Sequence, residues 1–163
     1  MEDDVDRLIA AWKRERPDID VTPMHVLSRV TRLALHLDRA RKEAFAAHGL
    51  EPSEFDVLSA LRRAGDPYQL SPGRLVHETL VTSGTMTNRV DRLVRKGLVV
   101  RLPDPADRRG VQVRLSDAGR VAVDGALDAL IARERDLLAG VGGDEADGIA
   151  ASLRKLSQPF DRS

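Results

Sequence analysis

The chain has 163 residues with 26 basic and 26 acidic side chains, a length that suits one domain with extensions. It contains no cysteine, which excludes disulfides, thiolate metal sites and thiol redox sensors. The acidic N-terminus lacks the apolar core of a signal peptide, and no apolar stretch approaches membrane-spanning length. The sequence therefore predicts a cytoplasmic protein with no membrane partner.

Three amphipathic helices are predicted before residue 64. The first ends before Pro17, and its apolar positions are Val5, Leu8, Ile9 and Trp12. The second is long, opening at Thr22-Pro23 and running to about His48-Gly49. The third spans Pro52–Arg63.

Between Leu70 and Arg114 the pattern changes to two short helices followed by two strands. Ser71-Pro72 opens the first helix, because proline at the first helical position gives up only an amide hydrogen that would be unpaired. Thr82-Ser83-Gly84 breaks the chain and starts the second helix. One face of that helix is predicted to carry Met86, Val90, Leu93 and Gly97.

A hairpin follows the second helix. The β-branched runs Leu98–Leu102 and Val111–Leu115 flank the polar loop Pro103–Gly110. Two helices with a tight turn and a following hairpin are typical of a winged helix-turn-helix. The predicted fold class is therefore mainly α with a small β-wing, its basic tip Asp107-Arg108-Arg109-Gly110 lying beside the second helix.

Charge supports a nucleic-acid partner only when it is counted locally. The segment from Gly84 to Arg114 holds eight basic and three acidic residues, a net charge of +5 in a chain of zero net charge. A basic face on one motif suits contact with phosphates at a defined place. The alternative is a solvated charged surface, which would interleave its signs.

Helical geometry sorts the second helix into two faces. At about 100° per residue, Thr87 and Asn88 point away from the Met86/Leu93 stripe, while Thr85 and Arg92 lie on its flank. Small polar residues in the first turn let a helix approach base edges, and Asn can bond adenine through two hydrogen bonds. The predicted DNA-contacting residues are Ser83, Thr85, Thr87, Asn88, Arg92, Arg108 and Arg109. For Asn88 or Thr87 taken singly, an ordinary exposed helix surface is the better interpretation, and it is the winged-helix context that favours contact with DNA.

The C-terminal region is predicted to be helical and to support assembly. Ser116-Asp117 caps a long helix, and Asp144 starts a terminal one after Gly140–Gly143. The terminal helices carry more apolar surface than one small domain needs, which predicts a homodimer formed by N- and C-terminal helices. The predicted segments are 1–48 for ligand binding and dimerisation, 49–116 for DNA binding, and 117–163 for dimerisation.

Other functional classes find little support in the sequence. The histidines His25, His36, His48 and His77 show no metal-ligand spacing on one helix face, and no catalytic motif stands above background. We therefore expect no enzyme, no metal and no cofactor. A winged helix that docks a protein instead of DNA stays open as the competing class.

The motifs quoted so far resemble the MarR family of dimeric transcriptional regulators. The resemblance covers nearly the whole length and is most specific in the run Val90–Leu98 and in DPADRRGVQVRLSDAGR at 104–120. It implies a homodimer with a winged motif at each of two corners, binding a pseudo-palindromic operator. It also implies repression that a small ligand relieves, with Arg109 entering the minor groove.

A narrower resemblance is to the urate-responsive branch of that family. That branch has an extra N-terminal helix with a tryptophan, and an aspartate and two arginines at positions that here hold Trp12, Asp56, Arg89 and Arg101. Arg89 lies about 60° from the apolar stripe, so a guanidinium facing inward would need Asp56 or an anion as its partner.

The roles of these four residues have more than one interpretation. The resemblance implies an anion held by Arg101 and Arg89, stacked on Trp12 and repelling Asp56. Trp12 as a packing residue, Asp56–Arg89 as a structural ion pair and Arg101 as a phosphate contact are the competing interpretations. The ligand class is left open among urate, another purine, a carboxylate and a phenolic compound.

Overall fold

The structure, a computed structural model, describes residues 2–79, 81–107 and 110–160. The chain divides into two compact units, Met1–Glu43 and Ala44–Ser163. Across the residues described, no helix is both long enough and apolar enough to cross a membrane.

The first unit contains helix α1 (Asp4–Glu15) and most of helix α2 (Met24–Ala46). Asp3 caps α1 by accepting hydrogen bonds from the amides of Val5 and Asp6 at 2.8 and 2.9 Å. Because α1 is amphipathic, its apolar residues Val5 and Ile9 are buried in a small core together with Val21 from the segment before α2.

The second unit holds the main core, which four helices and a sheet enclose. Helices α3 (Pro52–Arg63), α4 (Pro72–Thr79) and α5 (Ser83–Arg95) begin at the proline and threonine signals of the sequence. Phe45 and Phe55 stack at the centre with ring centroids 4.0 Å apart. The stripe Met86, Val90 and Leu93 of α5 is buried in this core, as its spacing predicts.

The sheet has three antiparallel strands in the order β1 (Gln69–Leu70), β3 (Val111–Leu115), β2 (Val99–Pro103). The hairpin β2–β3 pairs Val99 with Leu115 at its base and Pro103 with Val111 at its tip. Strand β1, which the sequence did not predict, pairs with the other edge of β3 and ties the chain before α4 to the wing.

Helix α6 (Asp117–Leu137) packs on α3, and its buried residues include Val123, Ala126 and Leu130. Ser116 caps it, as predicted, by accepting from the Gly119 amide at 2.9 Å. Helix α7 (Gly143–Ser157) begins one residue before the predicted Asp144, has no buried residue, and leads into a 3-10 turn (Gln158–Phe160).

The predicted fold class, mainly α with a small β-wing in a winged helix-turn-helix, is confirmed. Some details of the prediction are wrong. Strand β2 is Val99–Pro103 instead of Leu98–Leu102, so Pro103 pairs with Val111 and does not begin the loop. Helix α2 ends at Ala46 instead of about His48-Gly49. Gly97 does not continue the apolar face of α5, because the helix ends at Arg95 and Gly97 takes a φ of 71° in the turn to β2. The division into segments 1–48, 49–116 and 117–163 is a functional one and stays a prediction.

Candidate nucleic-acid interface

The first half of α5 is exposed and polar. Thr82 caps the helix, its hydroxyl donating to the Thr85 hydroxyl at 2.9 Å, and the Thr87 hydroxyl donates to the Ser83 carbonyl at 3.1 Å. The predicted base-contacting residues of this half are all exposed, namely Ser83, Thr85, Thr87 and Asn88. The helix N-terminus also presents the positive end of its dipole to a phosphate.

Asp104 braces the wing loop through two hydrogen bonds. One of its carboxylate oxygens accepts from the Ala106 amide at 2.9 Å and the other from the Gln112 side chain at 2.6 Å. These bonds lower the pKa of Asp104, the Ala106 amide acting most strongly. A Cβ at Gly110 would lie 2.7 Å from the Asp104 Cβ, so the loop requires glycine there. The predicted tip residues Arg108 and Arg109 lie outside the described residues.

Arg92, on the flank of α5, bonds to the N-terminal end of α3. Its Nη2 donates to Glu51 Oε2 at 2.8 Å and to Ser53 Oγ at 3.2 Å, and its Nε lies 3.8 Å from Glu54 Oε1. The Arg92 side chain is still 40% exposed. Its predicted contact with DNA therefore stays a prediction, now beside an observed intramolecular role.

Glu54 is a functional candidate that the sequence analysis missed. Its side chain is 1% exposed, and Oε2 accepts from Lys96 Nζ at 2.7 Å and from the Glu51 amide at 3.0 Å. Burial raises the pKa of Glu54, but the bonds from Lys96 and Glu51 and the nearby Arg92 outweigh burial and leave that pKa below its usual value. We call Glu51, Glu54, Arg92 and Lys96 the Glu54 cluster.

Arg101 on β2 faces the opposite flank of α5. Its Nη2 lies 2.6 Å from Asp91 Oδ1, and both side chains are partly exposed. Asp91 and Lys96 are separated by about 140° around the helix axis. Helix α5 is therefore tied to the wing on one flank and to α3 on the other.

These ion pairs reduce the number of positive charges that the Gly84–Arg114 segment can offer to DNA. Three cations of the +5 segment, Arg92, Lys96 and Arg101, are bonded to carboxylates of the same chain. By contrast, Arg95 and Arg114 form no ion pair within the described part of the chain. Fewer cations are therefore free to contact phosphates than the count of basic residues indicates.

Arg89 is half-buried on α5. Its Nη1 is inaccessible to solvent and has no hydrogen-bond partner among the described residues. A buried guanidinium nitrogen without a hydrogen bond is costly, and Arg92 Nε is a second such nitrogen among the described residues.

The other predicted ligand residues are spread over the chain. Asp56 is half-buried on α3, and Trp12 lies on α1 with 44% of its surface exposed. Arg89 and the Asp91 partner of Arg101 are about 200° apart around α5, so Arg89 and Arg101 approach this helix from different sides. The role of the four residues in ligand binding stays a prediction.

Metal binding finds no support in the part of the chain that the structure describes. No group of three or more His, Asp or Glu side chains there could hold a metal ion.

Three comparisons agree on the kind of protein that this chain resembles. The sequence model of the MarR family matches residues 48–110. The HTH-type transcriptional regulator PecS of Dickeya dadantii (strain 3937) is 35% identical over 155 residues, which cover 95% of this chain and 93% of PecS.

Solved structures show the same similarity. A variant of MarR from E. coli, complexed with operator DNA, has a TM-score of 0.70 and 28% identity, covering 85% of this chain and 99% of that one. BpsR of Bordetella bronchiseptica, whose DNA binding is regulated by 6-hydroxynicotinic acid, has a TM-score of 0.68 and 27% identity, covering 82% of this chain and 93% of its own.

Proposed function

The chain belongs to the MarR family of winged-helix transcriptional regulators, and from this premise we propose that it is a repressor that a small anion releases from a pseudo-palindromic operator. Its relatives and its fold are those of DNA-binding regulators, not of enzymes. The observation that carries the proposal is the exposed polar first half of α5, projecting from a helix whose other face is buried in the core.

In the proposed complex α5 lies in the major groove and the wing lies beside it. Asn88 contacts an adenine edge, while Ser83, Thr85 and Thr87 approach neighbouring bases or phosphates. Arg92 reaches a phosphate with the exposed part of its side chain, and Arg108 and Arg109 supply the cations of the wing tip. The E. coli MarR structure with operator DNA supports this use of the fold.

The DNA-binding proposal is tested on a duplex selected with this protein from a randomised library. Asn88→Ala should lower affinity for that duplex by about 1–3 kcal/mol and relax preference at one base pair. Arg109→Ala should weaken binding by a similar amount and lower the salt slope of binding by about 0.9. Failure of the library to enrich any sequence, with no salt-dependent DNA binding, would favour the protein-docking alternative.

We propose that the ligand is a small anion. Urate is the first candidate, followed by other purines and carboxylates. Arg101 is its main counter-charge, and Arg89, Asp56 and Trp12 take part in the response. The unpartnered Nη1 of Arg89 supports a missing anionic or polar partner on this helix. The regulation of BpsR by 6-hydroxynicotinic acid supports a carboxylate as an alternative, and a phenolic ligand also stays open.

The Asp91–Arg101 pair gives the ligand proposal a mechanism. An anion that binds the Arg101 guanidinium has to displace the Asp91 carboxylate, whose Oδ1 lies 2.6 Å from Arg101 Nη2. Displacement removes the tie between α5 and β2, so the recognition helix and the wing no longer hold one arrangement. Because the pair is partly exposed, it contributes only about 0–1 kcal/mol, an amount that a bound anion can readily outweigh.

Two variants with opposite expected effects on the ligand response test this mechanism. The probes are urate, xanthine, salicylate and citrate. Arg101→Ala should abolish the ligand-induced change in Trp12 fluorescence and the release from DNA. Asp91→Asn should increase apparent ligand affinity, because the anion no longer competes with a carboxylate. Retention of the full ligand response by Arg101→Ala would show that the ligand binds elsewhere.

A further inference from the structure

The Glu54 cluster joins the C-terminal end of α5 to the start of α3. Glu54 is the only charged residue classed as buried among those the structure describes, and its carboxylate accepts from Lys96 at 2.7 Å. Lys96 also donates to the Gly49 carbonyl at 3.1 Å, so its ammonium bridges the turn before α3 and the helix itself. Arg92 adds bonds to Glu51 and Ser53 one turn earlier on α5.

A buried carboxylate in this position is not by itself evidence that the ion pair stabilises the fold. Removing a carboxylate from water is costly, and a buried ion pair is often no more stabilising than apolar residues of the same volume. What such a pair does supply is geometry, because charged hydrogen bonds are directional and short whereas apolar contacts allow sliding. The Met86, Val90 and Leu93 stripe buries one face of α5, and the charged hydrogen bonds at Lys96 add directional restraints on its tilt and rotation.

The cluster acts at the far end of the helix from the bases. From Ser83 to Lys96 the helix is about 20 Å long at 1.5 Å per residue. A tilt of about 5° at the Lys96 end would therefore move the first turn by roughly 1.5 Å. Binding sites tolerate displacements of only about 0.5 Å, so an unrestrained helix would lose base contacts while keeping its general attraction to phosphates.

We propose that Glu54 and Lys96 are positioning residues for sequence recognition: they fix the angle at which α5 presents its first turn to the bases. Lys96 serves this role through Glu54 and Gly49 and not as a phosphate contact. The proposal rests on DNA binding through α5, as proposed above, and it goes further by separating cations that position the helix from cations that meet the backbone.

The test compares two affinities for each variant, one for the duplex selected from a randomised library and one for a scrambled duplex of the same composition. Glu54→Gln and Lys96→Gln are measured over a range of salt concentrations, with thermal unfolding as the check on folding. Arg95→Gln is the matched control, because Arg95 lies on the same helix next to the cluster and donates only weakly to the Asp91 carbonyl, at 3.4 Å. The ratio of the two affinities cancels the general effect of changing one charge.

We expect Glu54→Gln and Lys96→Gln each to lower the specificity ratio by roughly tenfold while the salt slope is unchanged, since neither removes a phosphate contact. Arg95→Gln should leave the ratio unchanged. The double variant Glu54→Gln/Lys96→Gln, in which two amides replace the buried carboxylate and its partly exposed ammonium partner, should recover part of the ratio. Should Glu54→Gln fail to fold, Lys96→Gln carries the same test, because the Lys96 side chain is 42% exposed.

A fall of about 0.9 in the salt slope of Lys96→Gln, with equal loss on both duplexes, would overturn the proposal and make Lys96 a phosphate contact. Lower thermal stability with an unchanged ratio would also overturn it, leaving a purely structural role. If the library enriches no sequence, the proposed function fails, and the inference fails with it because there is no base recognition to position.

Discussion

Gly119 lies where α6 passes closest to the wing. A Cβ at this position would lie 2.0 Å from the Leu98 carbonyl oxygen and 3.0 Å from Leu115 Cδ1. The first of these atoms is backbone and cannot rotate away. The glycine is therefore required by the close approach of α6 to the chain entering β2, and its φ is not the reason.

Gly119→Ala should destabilise the protein by about 1–3 kcal/mol, the usual effect of forcing an extra methyl group into a packed contact. Gly148→Ala is the matched control: it is also a helical glycine, but a Cβ there meets nothing within 4 Å. The control should be neutral or stabilising by up to about 1 kcal/mol. Thermal or urea unfolding measures both, and equal stabilities for the two variants would contradict the proposed contact.

Among the elements, α1 is joined to α2 by ion pairs at the N-terminal end of α1. Arg29 of α2 donates to Asp3 at 2.8 Å and to Asp6 at 2.7 Å. The Arg29 guanidinium, together with the amides of the helix cap, lowers the pKa of Asp3 to about 2. A carboxylate with a lowered pKa stabilises the folded arrangement above the usual carboxyl pKa of 3.8, and this contribution is lost as the pH falls toward 2.

Acid titration should therefore loosen α1 between about pH 4 and pH 2. Trp12 is the only tryptophan and lies on α1, so its fluorescence follows this change. Arg29→Gln should move the midpoint upward, toward the ordinary aspartate pKa, because Asp3 loses its main partner. An unchanged midpoint in this variant would show that Arg29 does not hold the helix.

At the scale of the whole molecule, α6 and α7 expose a large apolar surface. The exposed large apolar side chains from α6 to the end of the described chain are Val121, Leu127, Ile131, Leu137, Leu138, Ile149, Leu153, Leu156 and Phe160. Apolar surface of this extent, on a helix with no buried residue, is typical of a protein that assembles. A two-fold homodimer would present two α5 helices to half-sites about one duplex turn apart.

Sedimentation at micromolar concentration should give a species near twice the 17.9 kDa chain mass. Leu153→Glu should shift it toward the monomer by placing a charge in the apolar stripe of α7. Ala151→Glu, about 200° from Ile149 on the same helix, should leave the mass unchanged. A stable monomer for the unaltered chain would contradict both the predicted dimer interface and the predicted pseudo-palindromic operator.

The helices and the hairpin could be predicted from the sequence because their signals are local. Pro52, Pro72, Thr82 and Ser116 mark helix starts within a few residues, and the structure has α3 at the predicted bounds Pro52–Arg63. The apolar stripe of α5 also follows from spacing alone. The exposed first turn of this helix, and hence the candidate DNA-contacting residues there, could be located for the same reason.

Only the tertiary structure decided which charges are free. Lys96 and Glu54 are 42 residues apart, so no local pattern shows that one neutralises the other or that Glu54 is buried. From the sequence, the Arg101 guanidinium could bind a ligand or a phosphate, but in the folded chain it forms an ion pair with Asp91. Strand β1 was missed because two residues carry no period of their own and become a strand only by pairing with β3. Ion pairs and strand pairing depend on distances that the fold sets, whereas caps and amphipathic periods depend on neighbours along the chain.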